Sequence, residues 1–259
     1  MADEGFLHRY LLNHNGRLIH KWIHYIDIYE THFRRFRGTK VKVLESGVGR
    51  GGSQQMWREY FGPDADLICL DIEDLADRVD PDISTFYQGD ETDEGVLQRI
   101  IDEHGPLDVV LDDGSHISSH MIKTFEFLYP RMSSDGVYMV EDLHAAYSPQ
   151  HEGGFRRPGT FIEYTKDLLD HLHFVYAKEL PRDDPFGKTT HGLHIYDSII
   201  AFERRPKAHP QWLINGAYGR LGDWAFQPKP PVRDLPEDVR PDPKDVPAPK
   251  AGRLRLRQG

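Results

Sequence analysis

Val41-Lys42-Val43-Leu44-Glu45-Ser46-Gly47-Val48-Gly49-Arg50-Gly51-Gly52 is the stretch that decides the fold. Val41 to Glu45 reads as a buried strand, and the glycines after it read as a tight turn into a helix over Gln54 to Tyr60. Strand, glycine turn and helix in that order open a parallel α/β unit. The alternation continues downstream. Leu67 to Leu70 is a second strand ending at Asp71, Thr85 to Tyr87 a short third, and Gly95 to Glu103 a helix. Leu107 to Leu111 is a fourth strand, ending at Asp112 and Asp113, and Ser118 to Leu128 a helix. Val137 to Val140 is a fifth, ending at Glu141 and Asp142, and Gly159 to Leu172 is a further helix. His194 to Tyr196 and Ile199 to Phe202 have no helix between them and pair across a turn. The expected fold is α/β, a doubly wound, mostly parallel, seven-stranded Rossmann-like sheet ending in a β-hairpin.

Outside this unit the pattern changes. Arg17 to Phe36 carries Leu18, Ile19, Trp22, Ile23, Ile26, Tyr29, Phe33 and Phe36 at helical spacing, which predicts one helix, or two with a break, before Gly38. The organisation expected is a helical segment over 1–38, the α/β domain over 39–205, and a Pro-rich extension over 206–259 that is partly disordered. Trp212, Leu213, Trp224 and Phe226 of that extension are expected to pack on the domain or on a partner chain. A homo-oligomer, dimer or higher, is the expected assembly. The formal net charge of -10 argues against nucleic acid as a partner. The single cysteine, Cys69, lies in an apolar run and offers neither a disulfide nor a zinc site. No stretch has the length and apolarity of a signal peptide or a membrane span, so a cytoplasmic location is expected.

The glycine turn is a G-x-G-x-x-G match in the right context, with Gly47, Gly49 and Gly52 as its glycines and Ser53 opening the helix. Such a turn lets backbone approach a cofactor closely. Asp71, at the end of the second strand, stands where a carboxylate meets ribose hydroxyls. A dinucleotide and S-adenosylmethionine both fit. Glu45 favours the second, because an acid before the first glycine sits awkwardly near a pyrophosphate and suits the ammonium of a methionine moiety. A doubly wound sheet closed by a hairpin is also the outline of class I methyltransferases. Gln88 and Asp90, after the third strand, are candidates for the adenine edge, or simply a surface turn.

The fourth strand ends in Asp112-Asp113-Gly114-Ser115-His116 and the fifth in Glu141-Asp142-Leu143-His144. Adjacent parallel strands deliver these residues to the edge where open α/β sheets bind ligands. So many carboxylates at one rim repel by roughly several kcal/mol unless a cation joins them. Oxygen donors favour Mg²⁺, Ca²⁺ or Mn²⁺. Asp113, Glu141 and Asp142 are the expected ligands, with Asp112 facing the cofactor and His116 as general base. His144 is the second candidate base, or lines the substrate pocket. The plainer alternative is that Asp113 or Ser115 caps the helix beginning near Ser118.

With these clusters quoted, the chain resembles the metal-dependent sugar O-methyltransferases of the mycinamicin and macrocin type. The resemblance rests on Leu18-Ile19-His20-Lys21-Trp22-Ile23-His24-Tyr25, Glu45 to Gly52, Asp112 to His116 and Val140 to Leu143. It implies S-adenosylmethionine and Mg²⁺ as cofactors and a sugar or glycoside as substrate. It also implies Asp113, Glu141 and Asp142 as metal ligands and His116 as base. Against the mycinamicin type, the chain is expected to lack a large N-terminal domain, and it differs in His144 and in the Pro-rich tail. Tyr147 to Thr160, with Gly153-Gly154 and Arg156-Arg157, reads as a lid on the same rim. Competing readings are an NAD(P)-dependent oxidoreductase on the same glycine turn, a non-haem iron hydroxylase using Asp113, His116 and His144, and a non-catalytic sugar-binding module.

Overall fold

Apolar side chains alternate to both faces of the central strands, so both faces need cover. The structure, a computed structural model, describes residues 5–208 and residue 210. Its strands are β1 (Lys42–Ser46), β2 (Asp66–Asp71), β3 (Thr85–Gln88), β4 (Val109–Asp112), β5 (Val137–Val140), β6 (Thr190–Ile195) and β7 (Ile200–Arg204). They form one sheet in the order β3-β2-β1-β4-β5-β7-β6. The first five are parallel; β7 runs antiparallel to β5, and β6 antiparallel to β7. The expected doubly wound sheet with a closing hairpin is therefore present.

The helices are α1 (Phe6–Asn13), α2 (Tyr25–Phe33), α3 (Gly52–Phe61), α4 (Glu94–His104), α5 (Ser118–Leu128), α6 (Phe161–Leu172) and α7 (Pro185–Thr189). Val43, Val109, Leu111, Val137 and Met139 pack with Tyr29, Phe33, Met56 and Trp57 of α2 and α3 on one face. Leu44, Val110, Tyr138 and Val140 pack with Ile100, Met121, Phe125 and Leu168 of α4, α5 and α6 on the other. Cys69 is fully buried, and burial pushes its thiol up to about 12, so it is an inert core group.

The helix expected over 17–36 begins only at Tyr25. Residues 14–24 instead form an irregular strap against the start of α3. The Arg17 N–H donates to Gln55 Oε1 at 2.9 Å. A Cβ at Gly52 would stand 2.4 Å from the carbonyl oxygens of both Arg17 and Leu18. Tertiary contact overrides helical spacing here. Helix α1 falls within the segment 1–38 read as helical, though the spacing predicts no helix over its own residues, and α7 has no counterpart in the sequence reading. The Pro-rich extension beyond residue 210, with Trp212, Leu213, Trp224 and Phe226, lies outside the described residues.

Candidate active site

Side-chain period sorts the rim residues before any ligand is considered. Glu45 and Glu141 share the parity of Val43 and Met139, so they point to the α2–α3 face; Asp112 shares the parity of Val110 and points the other way. The strap covers the first face and carries Lys21 into it. Lys21 Nζ donates to Asp113 Oδ2 at 2.6 Å and to Glu141 Oε2 at 2.9 Å, and lies 3.5 Å from Glu45 Oε1. The lysine side chain is 6% exposed. Burial alone would lower its basicity, but Asp113 and Glu141 hold it well above the ordinary lysine range.

Helix α2 supplies the second layer. Tyr25 and Tyr29 are four residues apart and face the same way. Tyr25 donates its hydroxyl to Asp142 Oδ1 at 2.6 Å, and Tyr29 to Glu141 Oε1 at 2.7 Å. Burial, followed by the neighbouring Asp113, pushes Glu141 up to about 8, against the opposing pull of Lys21 and the Tyr29 hydroxyl. Glu45 accepts from Ser53 Oγ at 2.6 Å and from Gln54 Nε2, while its Oε1 is buried without a hydrogen bond.

His116 and Asp142 both adopt left-handed backbone, at φ 55° and 52°. Each costs about 1–2 kcal/mol for a non-glycine residue and marks a constrained site. The result is a convergence of Asp113, His116 and Asp142, with donor atoms all within 4.8 Å of one another. His116 Nε2 is 3.8 Å from Asp142 Oδ2. His144 is the more exposed of the two histidines, with Nδ1 2.7 Å from Ser198 Oγ and 3.9 Å from Asp142 Oδ1 and its ring edge-on to Trp22. A cleft of about 200 Å³ lies over this group, lined by His20, Lys21, Trp22, Ile23, Tyr25, Asp113, Glu141 and Asp142.

Asp112 does not join the other carboxylates. It is 1% exposed, accepts from the Tyr138 hydroxyl at 2.7 Å, and keeps Oδ1 without a hydrogen bond. Burial, followed by nearby Glu91, raises its carboxyl well above the ordinary range. Glu91, not singled out in the sequence, is buried beneath the turn after β4, where it accepts from Ser46 Oγ and the Ser115 N–H. The Ser115 Oγ accepts from the N–H of Ile117, the residue just before helix α5, at 3.2 Å, so Ser115 serves the helix start, whereas Asp113 turns to Lys21.

In the glycine turn, a Cβ at Gly47 would meet Asp113 O at 2.2 Å, and Gly52 makes room for the strap. Gly49 alone of the three faces open space, at φ 54°. Asp71 stands beside it, with Oδ2 accepting from the Val48 N–H at 2.9 Å and Oδ1 from Glu73 N–H at 3.0 Å. Gln88 is exposed. Asp90 accepts from the Thr92 N–H at 2.7 Å, a bond that holds it below its ordinary range. In the segment 147–160, Glu152 accepts from the Ser119 N–H, and the His151 ring lies 6.4 Å from that of His116.

Sheet order, glycine turn and antiparallel closing hairpin together make this a class I methyltransferase-like fold. No protein-family model matches the chain. It is 36% identical over 195 residues to the 8-demethyl-8-(2-methoxy-alpha-L-rhamnosyl)-tetracenomycin-C 3'-O-methyltransferase of Streptomyces olivaceus, covering 71% of this chain and 50% of that protein. It is 36% identical over 189 residues to the mycinamicin VI 2''-O-methyltransferase of Micromonospora griseorubida, covering 68% of this chain and 47% of that one. The solved MycE methyltransferase in complex with Mg, SAH and mycinamycin VI superposes with a TM-score of 0.66 at 32% identity, covering 76% of this chain and 54% of that chain. The chain thus spans about half the length of the curated relatives it matches, and those relatives are sugar O-methyltransferases.

Among the described residues no helix is long and apolar enough to cross a membrane.

Proposed function

We propose that the protein transfers the methyl group of S-adenosylmethionine to a hydroxyl of a sugar carried by a glycoside, with Mg²⁺ and His116 assisting. The observation that carries this reading is the convergence of Asp113 and Glu141 on one cation, the Lys21 ammonium, beside His116 and a glycine turn open at Gly49. Relatives whose names specify rhamnosyl tetracenomycin and mycinamicin support a glycosylated natural product as acceptor.

The residues fit a hard divalent cation. Their donors are mainly carboxylate oxygens, and burial with excess negative charge raises Glu141 even with Lys21 in place. Asp113, Glu141 and Asp142 would hold it, and all three line the cleft. Bound there, it would acidify an alcohol and fix its orientation. Tyr25 and Tyr29 keep Asp142 and Glu141 aimed through their hydroxyls. His116 lies within reach of the same group and accepts the hydroxyl proton as general base. S-adenosylmethionine carries its methyl on a sulfonium, so an activated oxygen suffices as nucleophile. What remains is positioning, which lowers such barriers by roughly several kcal/mol.

Two mutants test the two halves of the site. Asp71→Ala is expected to weaken S-adenosylhomocysteine binding by about 1–3 kcal/mol, read by calorimetry, because a charged acceptor for the ribose is lost. Unchanged affinity would move the ribose elsewhere. Trp22 lines the cleft while 54% exposed, an indole free to stack on a sugar face. Trp22→Ala is expected to raise the acceptor KM by about 3- to 10-fold with kcat little changed. A fall in kcat at constant KM would remove Trp22 from the acceptor subsite.

A further inference from the structure

The stripe of α2 that aims Tyr25 and Tyr29 at the active site continues at His32, seven residues after Tyr25, and meets a second cluster there. His32 is 2% exposed. Its Nδ1 lies 3.1 Å from Glu203 Oε1 on β7, and its Nε2 lies 3.0 Å from the Tyr196 hydroxyl. From β6, His194 brings Nε2 to 3.8 Å from Glu203 Oε2. Donor atoms of His32, His194 and Glu203 all fall within 4.8 Å of one another. We propose that these three residues form a second metal site, for a borderline transition cation such as Zn²⁺, which staples α2 to the terminal hairpin.

The donor set and spacing suit that cation. Two imidazoles and one carboxylate are zinc ligands, and metal–ligand distances of about 2.0–2.1 Å give tetrahedral edges of about 3.3 Å. His32 Nδ1 lies 3.1 Å from Oε1 and His194 Nε2 3.8 Å from Oε2 of the same carboxylate, so each imidazole faces one of its two oxygens at close to that spacing. His194 Nε2 is buried and has no hydrogen-bond partner, so an imidazole lone pair is aimed into the cluster and left unused. Tyr196 on the far nitrogen of His32 is the outer partner that fixes a ligating tautomer. With metal on Nδ1, the His32 proton resides on Nε2 and is donated to the Tyr196 oxygen. The Arg35 guanidinium lies 3.8 Å from Glu203 Oε1 and is shared with Asp135, so it opposes the cation without filling the site. The side chain of His194 is 41% exposed, which gives the ion an approach and water a fourth position. The donors differ from those of the rim, which are mostly oxygens, so Mg²⁺ and Zn²⁺ sort between the two sites. This inference is independent of the methyl-transfer reading.

The test is titration of the full chain with Co²⁺ in an excess of Mg²⁺, followed by visible absorption. One equivalent is expected to develop the intense absorption of four-coordinate Co²⁺, and Zn²⁺ to displace it. His194→Ala is expected to weaken that binding at least tenfold while leaving methyl transfer unchanged. Asp113→Asn is expected to retain the band. Absence of the band, its survival in His194→Ala, or its loss in Asp113→Asn would each overturn the proposal.

Discussion

His116→Ala is expected to lower kcat by about 10²–10⁴-fold, the usual contribution of a positioned general base, with little change in acceptor KM. The reason is geometric. His116 is held in left-handed backbone at φ 55°, and its ring nitrogen converges with the carboxylates of Asp113 and Asp142, two residues that line the cleft. The groups that hold the acceptor, the carboxylates and the strap, remain in the mutant. His144→Ala is expected to act more mildly and chiefly through KM, because His144 is engaged with Ser198 and borders Trp22. Steady-state methyl transfer on both mutants checks the assignment. The opposite ranking would make His144 the base.

Lys21→Met is expected to destabilise the metal-free protein by about 3–5 kcal/mol, the cost of stripping the partner from buried charges. Three carboxylates lie within 3.5 Å of this ammonium, and Glu45 and Glu141 are each 1% exposed. The loss should be smaller at pH 5 than at pH 8. Burial and then Asp113 push the Glu141 carboxyl up to about 8 in the folded chain, so the native state binds the extra proton. Stability from that proton is present at low pH and fades as pH rises towards 8. Added Mg²⁺ should recover part of the loss, since the carboxylates again gain a cation. Denaturant unfolding at both pH values, with and without Mg²⁺, measures this. A change within about 0.5 kcal/mol would mean that Lys21 is an ordinary surface-like contact.

Much of this was legible in the sequence because it is periodic. The strands around Val43, Val110 and Tyr138 are continuous apolar runs bounded by turns, and β5 and α5 fall where the pattern puts them. Carboxylates at the ends of β4 and β5 were legible for the same reason. Their division between two faces was readable too, from the parity of Asp112 against Glu141, but only once the strand register was known. Lys21 was not legible. Its neighbours Leu18, Trp22 and Ile23 have helical spacing, yet contacts with Gly52 and Gln55 hold the strap out of a helix. Glu91 and the cluster of His32, His194 and Glu203 depend on pairings between distant elements, for which the sequence contains no local signal.

The most direct measurement is transfer of a labelled methyl group from S-adenosylmethionine to a deoxysugar glycoside, with Mg²⁺, with EDTA, and with Glu141→Ala. The account predicts a methyl ether on a sugar hydroxyl with Mg²⁺, no transfer after chelation, recovery when Mg²⁺ is restored, and no transfer by Glu141→Ala although it still binds S-adenosylhomocysteine. Methylation undiminished in EDTA and in Glu141→Ala would contradict it.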